Sequence, residues 1–576
     1  LGVPAWEPRE FGTGGWWWWR ASRVIHDYML NGESREIIGE FPFFSYLLAD
    51  LHPHVLAMPY ILLAAALALN LFVGGARGSF SLSRLRIPLN FPSFLFAAVA
   101  LGSLGFMNTW DFPMAVALFA GAYVFSVPTT YFEKIKDFLK LSLTLGISGI
   151  LLYLPFYLGF SSQAGGLLPN LIYVTRGAHL WVQFGQFFLP IFALLIFFYA
   201  RQRNWRSLGK GLGAAAGITL ILWLLMLLLT LLIAILPSLS SLNAQAATAP
   251  DLFLGSLGAD NWSSLLREAF TRRLENPGGW VTLFLLLGLV IGLLIEEDRT
   301  GDKGLGIRDW GLGEDDEGVQ EDGNDGVFGS HRFVLLLVLL GGLLVYALEF
   351  VFLRDQFGYR LNSVFKFYYQ AWILWSIAAS YALIVLVVEL RRRWIWTFSA
   401  AAVAVLAMAL VYPAYGIVER LGFIDDRENL TLDGAVYLED HAPDELAAIE
   451  WLREAQPGVI VEAVAPGGGA YTDYARISEY SGLPAVIGWI NHEAQWRGGY
   501  EEIGSRQQDV ERLYTTRNWD EASEILDMYD IRYVVVGSRE RATYPRLNQA
   551  KFDQFLTIVF QNGGVTVYEV PVVGEQ

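Results

Sequence analysis

Ten apolar runs punctuate the chain between residues 55 and 412, separated by loops in which charged residues, Gly and Pro collect. Each is long enough, or nearly so, to cross about 30 Å of hydrocarbon as an α-helix. The pattern places them near 55–74, 92–108, 112–128, 138–159, 187–200, 212–236, 280–295, 333–353, 367–389 and 394–412. The run at 187–200 is short and fits a tilted or partly re-entrant segment. Asn108-Thr109-Trp110-Asp111 joins the second and third runs as a tight turn at one membrane face.

Beyond residue 425 the period changes. Asp444 to Ala455 predicts an amphipathic helix with Asp444 as its N-cap. Val459-Ile460-Val461, Val486-Ile487-Gly488-Trp489 and Tyr533-Val534-Val535-Val536 predict buried strands, alternating with helices near 505–516 and 519–529. The expected fold is therefore a polytopic α-helical membrane protein of about ten transmembrane helices with a C-terminal soluble α/β domain. Its parts are an interfacial segment over 1–54, a multi-spanning domain over 55–415 and the α/β domain over 425–576. The turn Gly467-Gly468-Gly469 lacks both GxGxxG and the P-loop lysine, which argues against a nucleotide cradle.

Composition supports the membrane reading. Apolar residues make up 54% and charged residues 17% of the 576, against roughly 25% charged in a typical soluble chain. These values argue against a disordered, collagen-like or nucleic-acid-binding protein. The absence of cysteine excludes disulfides, thiolate metal sites and a cysteine nucleophile. The net charge of −16 is unevenly spread. From 425 onward there are 27 acids and 12 bases, and 296–331 holds 12 acids and 3 bases, so the remainder is about +8. That acidic, Gly-rich loop reads as a solvated linker. Leu1 is not a start methionine, and further residues are expected before it.

Orientation follows from Lys and Arg in the loops, which concentrate on the cytoplasmic side. One alternate set, including Arg86, Lys134, Lys136, Arg206, Lys210 and Arg391 to Arg393, carries 16 such residues, while the opposite internal loops carry 7. The first set is expected inside. Residues 1–54, the 354–366 loop and the tail then lie outside.

Polar motifs stand on that outer face. Glu40-Phe-Pro-Phe-Phe-Ser-Tyr-Leu-Leu-Ala-Asp50-Leu-His52-Pro-His54 ends where the first span begins. Ionisable groups are costly at such a boundary unless used, and Asp50, His52 and His54 supply a base or metal ligands. The bland alternative is an interfacial cap. Asn108-Thr-Trp110-Asp111 repeats the theme, although Asp111 before Phe112-Pro113 also suits a helix start. Arg354-Asp355-Gln-Phe-Gly-Tyr-Arg360-Leu-Asn362-Ser-Val-Phe-Lys366-Phe-Tyr368-Tyr369-Gln370 offers three bases, an amide and two phenols at headgroup depth, as a phosphate site or an interfacial belt would. In the tail, Asn491-His492-Glu493-Ala-Gln495-Trp496-Arg497 follows a predicted strand, where ligands gather in α/β folds. Docking onto the membrane domain explains that stretch equally well. Trp16 to Trp19 reads as a headgroup anchor.

The first three of these motifs resemble the Chlor_Arch_YYY membrane proteins, a family of unknown function named partly for a Tyr-Tyr-Tyr motif. Here the triplet is Phe367-Tyr368-Tyr369, so the first hydroxyl is absent. The resemblance spans most of residues 1–570 and brings no settled activity with it. The layout is also similar to the GT-C glycosyltransferases, polytopic enzymes with catalytic carboxylates in outer loops.

That likeness implies an extracytoplasmic glycosyltransferase using a polyprenyl-phosphate-linked sugar donor. Asp50 would deprotonate an acceptor hydroxyl, or Asp50, His52, His54 and Asp111 would hold a divalent metal (Mn, Mg or Zn). Mixed Asp/His ligands suit Mn or Zn better than Mg. Arg360 and Lys366 would bind the donor phosphate. Asn108, Trp110, Asn362, Tyr368, Tyr369, His492, Glu493, Gln495, Trp496 and Arg497 complete the expected substrate contacts. The expected partners are membrane lipids, the lipid-linked sugar donor and an acceptor of unknown chemistry, with no nucleic acid. A transporter or flippase of a lipid-linked or anionic solute is the alternative, weakened by scarce mid-span charges and the lack of a repeat. A non-enzymatic assembly subunit is the third reading, favoured if Asp50 proves dispensable.

Overall fold

The computed structural model describes residues 17–49, 51–76, 78–82, 85–127, 129–160, 165–202, 205–239, 244–300, 330–355, 357–421, 431–469, 472–497 and 499–571. They form two compact units, one of the described residues up to 421 and the other of those from 431 onward. Asp50, Trp16 and the acidic stretch 301–329 lie outside the described residues.

The first unit is helical. Its helices include α1 (Pro42–Leu48), α2 (Pro53–Phe72), α3 (Phe91–Met107), α4 (Asp111–Ser126), α5 (Tyr131–Leu152), α6 (Gly177–Gln202), α7 (Trp205–Leu239), α8 (Trp262–Glu275), α9 (Gly278–Thr300), α10 (Ser330–Ala347), α11 (Leu361–Glu389) and α12 (Arg392–Leu421). Six of these, α2, α6, α7, α9, α11 and α12, are long and apolar enough to cross a membrane. That is fewer than the ten runs read from the sequence. Three of the other four runs become the shorter apolar helices at Phe91–Met107, Asp111–Ser126 and His331–Ala347. The run at 138–159 differs more. Its helix α5 starts earlier, with Thr130 capping the Glu133 amide, and its first turns carry Glu133, Lys134, Lys136, Asp137 and Lys140. It stops at Leu152, and a short second helix, Leu154–Gly159, opens with a proline.

Local chemistry sets the ends that matter. Asn90 caps α3 by accepting from the Ser93 amide, and α3 ends where Asn108 turns extended. The α1 helix stops at Ala49, in the left-handed region at φ 59°. An extended His52 then precedes Pro53, whose missing N–H costs nothing in the first turn of α2. Glycines let helices close: a Cβ on Gly211 of α7 would lie 2.1 Å from the Gly288 carbonyl oxygen of α9. Elsewhere α7 and α12 present long apolar faces outward, Leu220, Ile221, Leu224 and Leu406 among them, as lipid-facing helices do. Short strands tie the loops. β1 (His26–Tyr28) pairs antiparallel with β2 (Ser34–Glu36), β3 (Phe80–Leu82) with β4 (Leu85–Ile87), and β5 (Leu167–Pro169) with β6 (Val351–Leu353).

The second unit holds a four-stranded sheet in the order β7-β8-β10-β9, from β7 (Val459–Val461), β8 (Ile531–Val536), β9 (Thr557–Asn562) and β10 (Val565–Glu569). β7 and β8 run parallel, and β10 is antiparallel to both of its neighbours. The strand expected at 486–489 is absent; one parallel bridge from Ala485 to Ile460 stands in its place. Helix α13 (Pro443–Glu454) has Ala442 at its N-cap, and Asp444 instead accepts from the Gly564 amide. Further helices, α14 (Arg476–Ser481), α15 (Ile490–Arg497), α16 (Arg506–Thr515) and α17 (Trp519–Met528), flank the sheet sequence.

Candidate functional site

At one end of the first unit, three motifs far apart in sequence meet. The start of α2, the turn between α3 and α4, and the first three turns of α11 supply the groups. Asn108 organises the centre: its amide donates to one Asp111 oxygen at 2.9 Å, and its carbonyl accepts from Lys366 Nζ at 2.8 Å. Gln370 donates to the other Asp111 oxygen at 2.8 Å. Asp111 is buried, so an ionised carboxylate there needs these donors and the nearby ammonium. Lys366 and Gln370 lie one turn apart on α11, which aims both at the same turn.

A second group adjoins the first. The buried His54 ring stands edge-on to Phe365 and Tyr369, each at 4.8 Å between centroids. Its Nε2 lies 3.1 Å from Ser45 Oγ and 3.5 Å from Glu40 Oε2, while Ser45 also reaches Glu40 at 3.2 Å. Lys366 is within Coulombic reach of both Asp111 and Glu40, which joins the two groups into one polar constellation. Two buried atoms in it, His54 Nδ1 and the Tyr369 hydroxyl, have no hydrogen-bond partner among the described residues. His52 is half-buried with its ring 5.2 Å from that of His54. Trp110 meets Phe367 edge-on at 6.4 Å.

Arg360 belongs to a different network. It is fully buried, and its guanidinium forks onto Asp27 at 2.7 and 2.6 Å while Nη1 reaches Glu349 at 3.1 Å. Glu349 also accepts from the Thr175 hydroxyl at 2.5 Å and the Thr175 amide at 3.1 Å. Tyr368 lies 3.5 Å from Thr175 Oγ1. Arg273 ties the same region to the backbone carbonyls of Leu171, Asn170 and Glu349, each at 2.6 Å. Two buried acids and two buried bases thus neutralise one another, with the Arg360 fork engaged by protein carboxylates. Such an arrangement holds the loops together through the Arg360 guanidinium. Asn362 is half-buried at the start of α11.

In the tail, α15 carries the expected cluster on a helix. Glu493 accepts from the Gly488 amide at 2.6 Å and pairs with Arg497 at 3.1 Å, and Arg497 reaches Glu502 at 3.2 Å. His492 packs against Trp489 at 5.6 Å, Gln495 is half-buried, and Trp496 is 62% exposed.

Among the described residues no three His, Asp or Glu side chains converge as metal ligands do. Both Asp111 oxygens accept from amides, and His54 Nε2 faces Ser45 and Glu40. The described donors therefore fit hydrogen-bonding and proton-transfer chemistry.

Sequence reasoning picked out Asn108, Asp111, His54 and Lys366 but not Glu40, Ser45 or Gln370 as members of the site. Gln370 was within reach of it, standing four residues after Lys366. Asp27, the partner of Arg360, gives no such signal.

No curated protein matches the chain. A family profile does, over residues 2–303 and 305–375. The match takes in every residue of the two buried networks and ends before the tail, so the 492–497 cluster lies beyond it. The chain belongs to the family described as uncharacterized membrane protein, DUF2298.

Proposed function

We propose that the Asp111–Lys366 constellation binds a polyprenyl-phosphate-linked sugar and transfers the sugar to an acceptor hydroxyl, as a glycosyltransferase of GT-C-like layout would. The observation that carries this reading is the hydrogen-bond chain Lys366–Asn108–Asp111–Gln370 at one end of the helical unit. It sets a cation beside an oriented carboxylate. In the proposed reaction Asp111 takes the acceptor proton, the acceptor oxygen bonds to the anomeric carbon, and the bond from that carbon to the phosphate oxygen breaks. The phosphate leaves with the bonding pair, and Lys366 offsets its growing charge. Asp50, adjacent in sequence to this end, is the other candidate for the base.

In the same reading, α3, α4, α5 and α10 complete a bundle of about ten spans, with the site and the tail on the extracytoplasmic side. The scarcity of basic residues in the loops of that side supports the orientation.

Mass spectrometry of lipids carried through purification tests the reading. Wild-type protein is expected to retain a polyprenyl-phosphate sugar, and Lys366→Met to lose it. Retention of bulk phospholipids alone by the wild type, or equal retention of the donor by both proteins, would sink the assignment.

A further inference from the structure

The opposite end of the same helices carries a feature that the proposed reaction does not use. An open cavity of about 490 Å³ lies between the β3–β4 hairpin, the end of α4 and the start of α5. Arg86, Ser79, Tyr123, Asp137 and Lys140 line it. Tyr123 stands twelve residues after Asp111 on α4, which puts the cavity ~18 Å along the helix from the polar site.

The lining favours an anion. Lys140 pairs with Asp137 at 2.5 Å, and Arg86 donates to the neutral Ser79 hydroxyl at 3.1 Å. Among the described lining residues, two bases against one acid leave one net positive charge, with hydroxyls from Ser79 and Tyr123 beside it. An apolar track leads away. Leu143 follows Lys140 by three residues and Ile147 and Leu151 follow at steps of four, so they share one face of α5, and they are 61%, 57% and 61% exposed.

We propose that this cavity holds the phosphate of an anionic phospholipid whose acyl chain lies along Leu143, Ile147 and Leu151. The charge selects the headgroup, and the exposed track selects a lipid over a soluble phosphate ester. Basic pockets between spanning helices on the cytoplasmic side of a membrane bind such headgroups. The site is independent of the sugar-transfer reading.

The test uses the full chain in nanodiscs of equal phosphatidylglycerol and phosphatidylcholine, with retained lipid counted by native mass spectrometry. Wild-type protein should keep phosphatidylglycerol in preference. The double variant Arg86→Gln with Lys140→Gln should lose that preference by about tenfold, and Lys140→Arg should keep it. Should the double variant fail to fold, Arg86→Gln alone, at an exposed position, gives the same direction. Equal retention of both lipids by the wild type overturns the proposal, as does an unchanged preference in the variants. Displacement of the lipid by millimolar glycerol phosphate would overturn the acyl-chain contact and assign the cavity to a free phosphate ester.

Discussion

Lys366 and Asn108 stand 258 positions apart in the chain and meet in a 2.8 Å hydrogen bond. The contact depends on α3 ending at Met107, because only there does Asn108 leave the helix and turn its amide toward both α11 and Asp111. One asparagine thereby holds the ammonium and the carboxylate apart while joining them through its two ends.

Arg360 gives the sharpest separation between a ligand-binding and a structural role. Its removal by Arg360→Ala leaves Asp27 buried without its ion-pair partner and Glu349 held by Thr175 alone among the described residues, which should destabilise the first unit by roughly 3–5 kcal/mol. Arg360→Lys recovers only part of this, since an ammonium cannot fork onto both Asp27 oxygens. Thermal unfolding of the detergent-solubilised protein reads the effect. A variant with wild-type stability and weakened lipid retention would return Arg360 to the substrate.

Topology has a clean test in a chain without cysteine. Ser34 and Ser538 are exposed, and so is Lys136 near the other end of the helices. Cysteines at Ser34 and Ser538 should react with an impermeant maleimide in intact cells, and one at Lys136 should react only after permeabilisation. Reaction at Lys136 in intact cells would reverse the proposed orientation. Ser207 is unsuitable as a probe because it is fully buried.

The second unit should lose stability as pH rises toward neutrality. Glu462 is buried, and burial pushes its carboxyl up from the ordinary 4.5 to about 7, with Glu540 beside it adding to the rise. Its backbone donors, the Ile477 and Ser478 amides, offset only part of that. A folded state that holds the proton more tightly than the unfolded one is favoured below about pH 4.5, and loses that advantage by about pH 7. Hydrogen exchange of the β7 and β8 amides in the intact protein should therefore quicken, relative to the intrinsic rate, across that window. Glu462→Gln should flatten the trend. Protection that increases with pH over the same range would show that the carboxylate form is the one preferred.

Much of this was legible in the sequence, for reasons specific to each element. The apolar runs at 55–74, 212–236, 367–389 and 394–412 hold unbroken hydrophobicity, and each appears as a helix long enough to span. The run at 138–159 misled because apolar content alone does not register Thr130 as a cap or Pro155 as a new start. The strand expected at 486–489 failed for a similar reason: valine and isoleucine at Val486-Ile487 fit a strand, yet Gly488 gives its amide to Glu493 and not to a ladder. In the site, Asn108, Asp111 and Lys366 stood out as polar groups bordering apolar runs. Arg360 stood out equally and proved to be occupied, because the acid that engages it, Asp27, sits in a three-residue strand 333 positions away.

The chemistry itself rests on a contrast between two neighbours in one hydrogen-bond chain. Asp111→Asn keeps the shape of the side chain but removes the charge, so donor lipid should still be retained while transfer falls by about 10²-fold, the scale of a lost general base. Asn108 and Gln370 donate to different Asp111 oxygens, so only one of them keeps its bond, to the carbonyl oxygen of the new amide, and the other faces its NH2, which costs about 1–3 kcal/mol of stability. Lys366→Met removes the cation while keeping the stem, so donor retention itself should fall. The two variants must therefore part: one holds the donor without turning it over, the other fails to hold it. Asp50→Asn is measured beside them, and the carboxylate whose loss abolishes transfer at normal protein levels is the base. Full transfer by both aspartate variants would remove the carboxylate from the mechanism. Solute movement into proteoliposomes with no covalent product would instead mark the chain as a transporter.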